Sequence, residues 1–132
     1  MIEVEKYNPV TEKIIGCAIE VHKALKNGFQ ELIYQRALAY EFVLQEIPFA
    51  REQEIKVYYK EREVGTRRVD FLVAEEIVVE LKAISELNNI HLAQTLNYLE
   101  AYNLPLALIL NFGEPLLKVK RVVNSKYKLL IK

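Results

Sequence analysis

Two acidic residues and a lysine stand on neighbouring apolar segments of the chain. Asp70 lies in the apolar run 69–74, and Glu80-Leu81-Lys82 falls within the next run, 77–83. In a β-strand alternate side chains share a face, so Glu80 and Lys82 point the same way, and Asp70 can face them from the adjacent strand. Two carboxylates that converge in an apolar sheet are poorly solvated, which raises the pKa of one of them unless a cation lies between them.

A divalent cation would suit this group of side chains. Mg2+ binds hard oxygen ligands, often one or two carboxylates together with waters and phosphate oxygens. Two acids and a lysine on adjacent strands therefore favour metal-assisted phosphate chemistry. The same pattern is also typical of a solvated sheet edge, where acids and lysines keep the strand soluble, and the two strands alone leave both interpretations open.

Length and composition limit the classes of protein that this sequence can encode. With 132 residues, of which 52% are hydrophobic and 27% charged, we expect one globular domain over residues 1–132. Cys17 is the only cysteine, which excludes an internal disulfide, and no Cys/His cluster has the spacing of a zinc or iron–sulfur site. The charged amino terminus and the absence of an apolar run of roughly 18 residues predict a cytoplasmic protein without a membrane partner.

Hydrophobic periodicity predicts the element order ααβββαββ. Apolar residues recur at helical spacing in three segments and alternate or run continuously in five others. Glu75 and Glu76 separate the second and third strands, which form a hairpin of buried strands from Val64 to Ala83. The predicted fold class is α/β, a mixed β-sheet flanked by helices. The predicted helices are residues 9–26, 30–46 and 89–103, and the other strands are 55–59, 106–110 and 116–123.

Three short motifs occur in one order along these predicted elements. Each is weak alone, but their order and spacing on matching elements are specific. On these motifs the chain resembles the GxxExxY family, a compact group in the PD-(D/E)XK nuclease superfamily near its RecB-like branch, from about Ile14 to Arg121. Val69 replaces the proline of the superfamily signature, and the cysteines of iron–sulfur members are missing. The motifs are Gly28-x-x-Glu31-x-x-Tyr34, Asp70 with Glu80-Leu81-Lys82, and Gln94-x-x-x-Tyr98.

The resemblance implies a restriction-endonuclease-like fold and a role for each motif residue. Asp70 and Glu80 would bind Mg2+ or Mn2+, with the Leu81 carbonyl and the Glu31 carboxylate as further ligands. Lys82 would position or help to deprotonate the attacking water and stabilise negative charge in the transition state.

Five further residues each have a functional and a structural interpretation. Gln94 and Tyr98 share one helix face, where they would hold the nucleic-acid backbone, brace the metal ligands or pack the helix on the sheet. Tyr34 shares the face of Glu31 and could orient it, although an aromatic at this spacing is more often core. His22 could approach the metal, but a buried, hydrogen-bonded histidine is the favoured interpretation. Asn111 could hold a turn or reach the cleft, and the sequence leaves that choice open.

The expected substrate is DNA of unspecified strandedness, and the expected reaction is metal-dependent hydrolysis of its phosphodiester bonds. The eighteen basic and eighteen acidic residues cancel, so DNA contact must come from a local patch. The alternative function is a non-catalytic nucleic-acid-binding or assembly module. Such a module could be a homodimer. The candidate basic residues, which could equally be a solvated strand and tail, are Arg67, Arg68, Lys118, Lys120, Arg121, Lys126, Lys128 and Lys132.

Overall fold

The computed structural model describes residues 4–128. A short 3-10 helix, Val4–Tyr7, leads into two helices, three strands, a third helix and two final strands, so the predicted order ααβββαββ is confirmed. No helix among these residues is long and apolar enough to cross a bilayer. The elements are α1 (Asn8–Leu25), α2 (Glu31–Leu44), β1 (Phe49–Tyr59), β2 (Arg62–Val73), β3 (Ile77–Lys82), α3 (Asn89–Tyr102), β4 (Leu106–Asn111) and β5 (Lys118–Val123).

The five strands form one mixed sheet in the order β1-β2-β3-β4-β5. Only β3 and β4 are parallel, because α3 carries the chain across the sheet between them, and the other neighbours are antiparallel. Helices α1 and α2 pack on one face of the sheet and α3 on the other. Strands β3 and β4 are therefore covered on both faces, which explains why they read as nearly continuous apolar runs. The predicted fold class, a mixed sheet flanked by helices, is confirmed.

Strand β1 begins at Phe49, six residues before the predicted start. The segment 50–54 is mostly polar and gives no strand signal, but Phe49 packs against Phe42 of α2 and Phe71 of β2, with ring centroids 5.3 and 5.6 Å apart. Tertiary packing therefore extends the strand beyond its local pattern.

The first half of β2 is not buried, contrary to the expectation for the hairpin that starts at Val64. Strand β3 pairs with β2 only from Phe71 to Val73, whereas β1 pairs with β2 along nearly its whole length. The outer parts of β1 and β2, residues 53–59 and 62–69, thus form a two-stranded ribbon that extends past β3. Val64, toward the tip of this ribbon, is 59% exposed, whereas Val69 at its inner end is fully buried in a cluster with Leu99 of α3.

The loop between α1 and α2 is fixed by the Gly28 and Tyr34 of the first motif. Gly28 has a φ of 114°, a conformation that side-chain-bearing residues rarely adopt. The buried Tyr34 hydroxyl donates a hydrogen bond to the Lys26 carbonyl and accepts one from the Phe29 amide, and the ring stacks on Phe112 at a centroid distance of 4.7 Å. Tyr34 is therefore a core residue that holds the start of α2 in place, as its favoured interpretation predicts.

Candidate functional site between strands 2 and 3

The hydrogen-bonded ladder between β2 and β3 opens where the two predicted acids lie. Regular pairing of β2 with β3 stops at Phe71 and Val79. On the other side of β2, Asp70 and the Glu52 of β1 that lies opposite it are not paired. Glu52 has a φ of 53°. In the gap, the Asp70 Oδ2 accepts a hydrogen bond of 2.8 Å from the Leu81 amide. The Asp70 side chain thus takes the place of the β2 backbone as the partner of β3.

A chain of hydrogen bonds through the buried Gln35 and the exposed Arg51 fixes the Asp70 carboxylate from the opposite side. Its Oδ1 accepts a hydrogen bond of 3.0 Å from Gln35 Nε2 of α2, and Gln35 Oε1 accepts one of 2.8 Å from Arg51 Nε of β1. Gln35 is buried, so its amide group needs both partners. The sequence did not reveal Gln35 or Arg51 as site residues, although Gln35 lies one turn after Glu31 on the same helix face.

Glu80 of β3 is buried at 7% exposure, and its Oε1 has no hydrogen-bond partner among the described residues. Burial raises the pKa of its carboxyl to about 8, and the negative charge of Asp70 acts in the same direction. The nearby cations Arg67 and Lys82 oppose this rise only in part. Asp70 and Glu80 therefore converge as predicted, and without a further cation Glu80 keeps its proton at neutral pH.

Glu31 and Leu81 complete the oxygen-bearing surroundings of this pair. The pKa of Glu31 is raised by desolvation and then by the charge of Asp70, and the cationic Lys82 lowers it. Lys82 thus stands within electrostatic reach of Glu31 and Glu80. The N–H and C=O of one strand residue point to the same side, so the Leu81 carbonyl points into the gap where its amide meets Asp70.

On the α3 side of the sheet, Arg67 and Tyr98 lie next to Glu80. The Arg67 guanidinium sits 3.7 Å from the centroid of the Tyr98 ring, and its buried Nε has no hydrogen-bond partner within residues 4–128. Burial and the charge of Glu80 raise the pKa of Tyr98, while Arg67 lowers it. Tyr98 therefore borders the acid pair and also packs on Arg67, whereas Gln94 one turn earlier is exposed.

The chemistry of these donors fits a divalent ion, although the site is not a three-carboxylate cluster. Among residues 4–128, no group of three His, Cys, Asp or Glu side chains is arranged to hold a metal, so Glu31 does not join Asp70 and Glu80 in such a group. Mg2+, however, often takes only one or two carboxylates and completes its shell with waters. The unpartnered Glu80 Oε1 beside Asp70 and the Leu81 carbonyl supply such a partial shell.

His22 and Asn111 have structural positions. His22 is buried, and its Nε2 lies 3.0 Å from the Glu114 carbonyl oxygen, as its favoured interpretation predicts. The fully buried Asn111 accepts hydrogen bonds from the amides of Ile84 and Gly113 and donates to the Ile84 carbonyl and the Glu114 carboxylate. Asn111 therefore ties the segment after Lys82 to the end of β4. Gly113 is required there, because a Cβ would lie 2.3 Å from the Ile84 backbone.

The basic residues do not form one continuous groove. Lys120 and Arg121 are consecutive in β5 and point to opposite faces of the sheet, and Arg121 donates to the side chains of Asn8 and Thr11 beside α1. Arg68 pairs with Glu52 and Glu54 on the ribbon. Lys132 lies outside the described residues. Arg67 is thus the basic residue of the predicted set that lies beside the acid pair.

Comparison with known proteins adds one finding. A family model described as the PD-(D/E)XK nuclease superfamily matches residues 8–122, which covers α1 and every later helix and strand except the last residue of β5. A search of curated proteins and a search of solved structures found no significant match.

Proposed function

We propose, since this chain belongs to the PD-(D/E)XK nuclease superfamily, that it hydrolyses phosphodiester bonds of DNA with Mg2+ or Mn2+ held by Asp70 and Glu80. The observation that carries this proposal is the buried Glu80 oxygen without a partner next to a second carboxylate. A buried acid in such a place is costly unless a cation compensates it. Membership of the superfamily suggests nuclease-type chemistry; we propose DNA as the substrate and a divalent ion as the requirement for cleavage.

Some residues of the site would bind the ion, and others would assist the reaction. When bound, the ion stabilises charge on the phosphoryl oxygens and lowers the pKa of a coordinated water. Gln35 holds the Asp70 carboxylate in a fixed orientation, and the Leu81 carbonyl adds an oxygen. Lys82, which shares its strand face with Glu80, positions the attacking water, stabilises the negative charge that develops in the transition state and does not ligate the ion.

Arg67 and Tyr98 form the phosphate-contacting side of the proposed cleft. The Arg67 side chain is half-buried, and guanidinium groups bind phosphate through paired N–H donors. Stacking on Tyr98 holds the guanidinium plane beside Glu80. The exposed Gln94, on the same face of α3 as Tyr98, adds a hydrogen bond to the nucleic-acid backbone.

The central experiment measures ion binding and cleavage in wild type and in Asp70→Ala. Calorimetric titration with Mn2+ should show binding to the wild type and none to Asp70→Ala, because removing one of two carboxylates leaves too few charged oxygens. Cleavage of single- and double-stranded DNA, assayed with Mn2+ and with chelator, should disappear in the same variant. Glu52→Ala, which removes an exposed acid from the neighbouring strand, is the control and should bind the ion normally. Unchanged ion affinity in Asp70→Ala would refute the site.

A second prediction separates a role for Gln94 in binding from a role in packing. Because Gln94 is exposed, Gln94→Ala should leave the melting temperature within about 2 °C of wild type, as surface substitutions usually do. Cleavage should nevertheless weaken through a higher KM for DNA. Asn97→Ala, an exposed residue of the same helix, is the control for both measurements. A variant that melts earlier and cleaves normally would assign Gln94 to packing.

The competing function is a non-catalytic nucleic-acid-binding or assembly module. Two observations favour it: the described residues hold no three-ligand cluster, and the basic side chains are spread over several surfaces. Wild-type protein that binds Mn2+ and nucleic acid but cleaves neither DNA nor RNA would select this alternative.

A further inference from the structure

The outer face of α2 carries an apolar stripe that no element of the described chain covers. Tyr40 is 66% exposed and Val43 61%, and Leu38, on the opposite side of the helix, is fully buried against the sheet. At 3.6 residues per turn, the stripe falls within an arc of about 120° centred opposite Leu38. Its six exposed members are Leu32, Ile33, Arg36, Tyr40, Val43 and Leu44.

The apolar residues at the two ends of the stripe are arranged symmetrically about position 38. At equal distances before and after it, Leu32 has a leucine counterpart in Leu44 and the β-branched Ile33 has one in Val43, whereas Arg36 has a residue of another type, Tyr40, as its counterpart. If two copies of α2 pack antiparallel about position 38, each leucine meets a leucine and each β-branched residue meets another. In a two-fold interface residue i of one copy contacts residue j of the other and j contacts i, so a patch of this kind can be complementary to itself.

The one charge on the stripe also has a complement in this arrangement. Arg36 of each copy would lie against Tyr40 of the other, and a guanidinium over a tyrosine ring is an attractive contact. The same kind of contact occurs within the chain, where Arg67 stacks on Tyr98. Burying the Arg36 guanidinium against a purely apolar partner would be unfavourable. A second copy of this chain instead offers it the Tyr40 ring.

We propose that the outer face of α2 is a homodimer interface in which two copies of the helix pack antiparallel about position 38. Glu31 and Gln35 lie on the other side of α2 with the acid pair, so both copies of the candidate site stay open in the dimer. The contact runs along about 18 Å of helix. The area buried by one helix of this length is smaller than the roughly 800 Å² per partner that a typical interface buries. We therefore expect a weak, reversible dimer with a dissociation constant in the micromolar range. This inference stands independently of the proposed activity.

The first test is the oligomeric state, measured by sedimentation over a range of concentrations. Wild type should show a reversible monomer–dimer equilibrium, and Tyr40→Glu or Val43→Glu should be monomeric at every concentration. The ribbon offers matched controls, because Tyr59 and Val64 are 64% and 59% exposed; Tyr59→Glu and Val64→Glu should dimerise as wild type does. A monomeric wild type, or dimers that persist in both α2 variants, would overturn the proposal. Binding of the monomer to phospholipid vesicles through the same stripe would overturn it in favour of a lipid surface.

The second test is the antiparallel register. Under oxidising conditions a mixture of Ile33→Cys and Val43→Cys chains should form a disulfide between unlike chains, because these positions face each other. Ile33→Cys alone should not cross-link, since position 33 of the partner chain lies about 15 Å away along the helix, beyond disulfide reach. The native Cys17 is buried and does not compete. Efficient cross-linking of Ile33→Cys to itself would show a different packing and would refute this interface.

Discussion

Substituting Lys82 by alanine is expected to slow phosphodiester cleavage by about a hundredfold or more while leaving divalent-ion binding intact. A cation cannot ligate Mg2+, and its removal takes away a positive charge that opposes the ion, so affinity should be equal or slightly higher. The transition state, in contrast, loses a water-positioning and charge-stabilising group, which is worth about 3 kcal/mol or more in a desolvated site. Calorimetric titration and a cleavage time course in Mn2+ measure the two effects on the same preparation.

The matched control for this prediction is Lys56→Ala. Lys56 Nζ lies 3.6 Å from Glu63 on the exposed ribbon, and such surface pairs contribute only about 0 to 1 kcal/mol. Its loss should change neither ion binding nor cleavage. Equal cleavage rates for Lys82→Ala and wild type would show that Lys82 is a solvated strand residue and would remove the chemical step assigned to it.

The stability of the metal-free protein should fall as pH rises, and Glu80→Gln should abolish most of that fall. The pKa of Glu80 rises from an ordinary value of 4.5 in the unfolded chain to about 8 in the folded chain. Between these values the folded state holds a proton that the unfolded state has lost, so folding stability is fully present below pH 4.5 and declines up to about pH 8. The decline approaches about 1.4 kcal/mol per pH unit.

Thermal melting in chelator at pH 5 and pH 9 measures this effect. Glu80→Gln should melt close to wild type at pH 5 and roughly 10 °C above it at pH 9, because the amide has no charge to desolvate. Glu12→Gln, at an exposed position on α1, should follow wild type at both pH values. Added Mn2+ should stabilise wild type at pH 9 and not Glu80→Gln. A Glu80→Gln variant that melts below wild type at pH 9 in chelator would show that the buried carboxylate is already compensated.

The residues that carry charge in the site were predictable, because their spacing on two strands already forces them together. Asp70, Glu80 and Lys82 lie on strands whose apolar pattern is strong, and a hairpin brings adjacent strands into register with little ambiguity. Their partners from distant segments were not predictable. Gln35 and Arg51 meet Asp70 only because α2 and β1 pack beside β2, and a polar residue on a helix gives no sign of what it will face.

The bounds of the strands also depend partly on local sequence patterns and partly on contacts between distant segments. The predicted bounds of β3 and β4 agree with the observed bounds to within one or two residues, because burial on both faces makes these strands continuous apolar runs. The start of β1 at Phe49 depends on an aromatic contact with α2 and β2, which no local pattern reports. The expected contribution of Glu31 also depended on helix orientation, and the structure places it near Asp70 and Lys82 without forming a three-ligand group with the pair.

Asn111 has a consequence for the entropy of activation of the proposed hydrolysis. Its four side-chain hydrogen bonds fix the backbone immediately after Lys82, and Gly113 lets the two segments approach closely. The backbone freedom of this segment is therefore lost during folding and does not have to be lost again in each catalytic cycle. For a group that must meet a water and a phosphate at defined angles, such prior ordering raises the effective molarity of the reacting groups. If Lys82 acts as proposed, a single buried amide opposite it on the neighbouring strand would thus contribute to the rate at which its ammonium group acts.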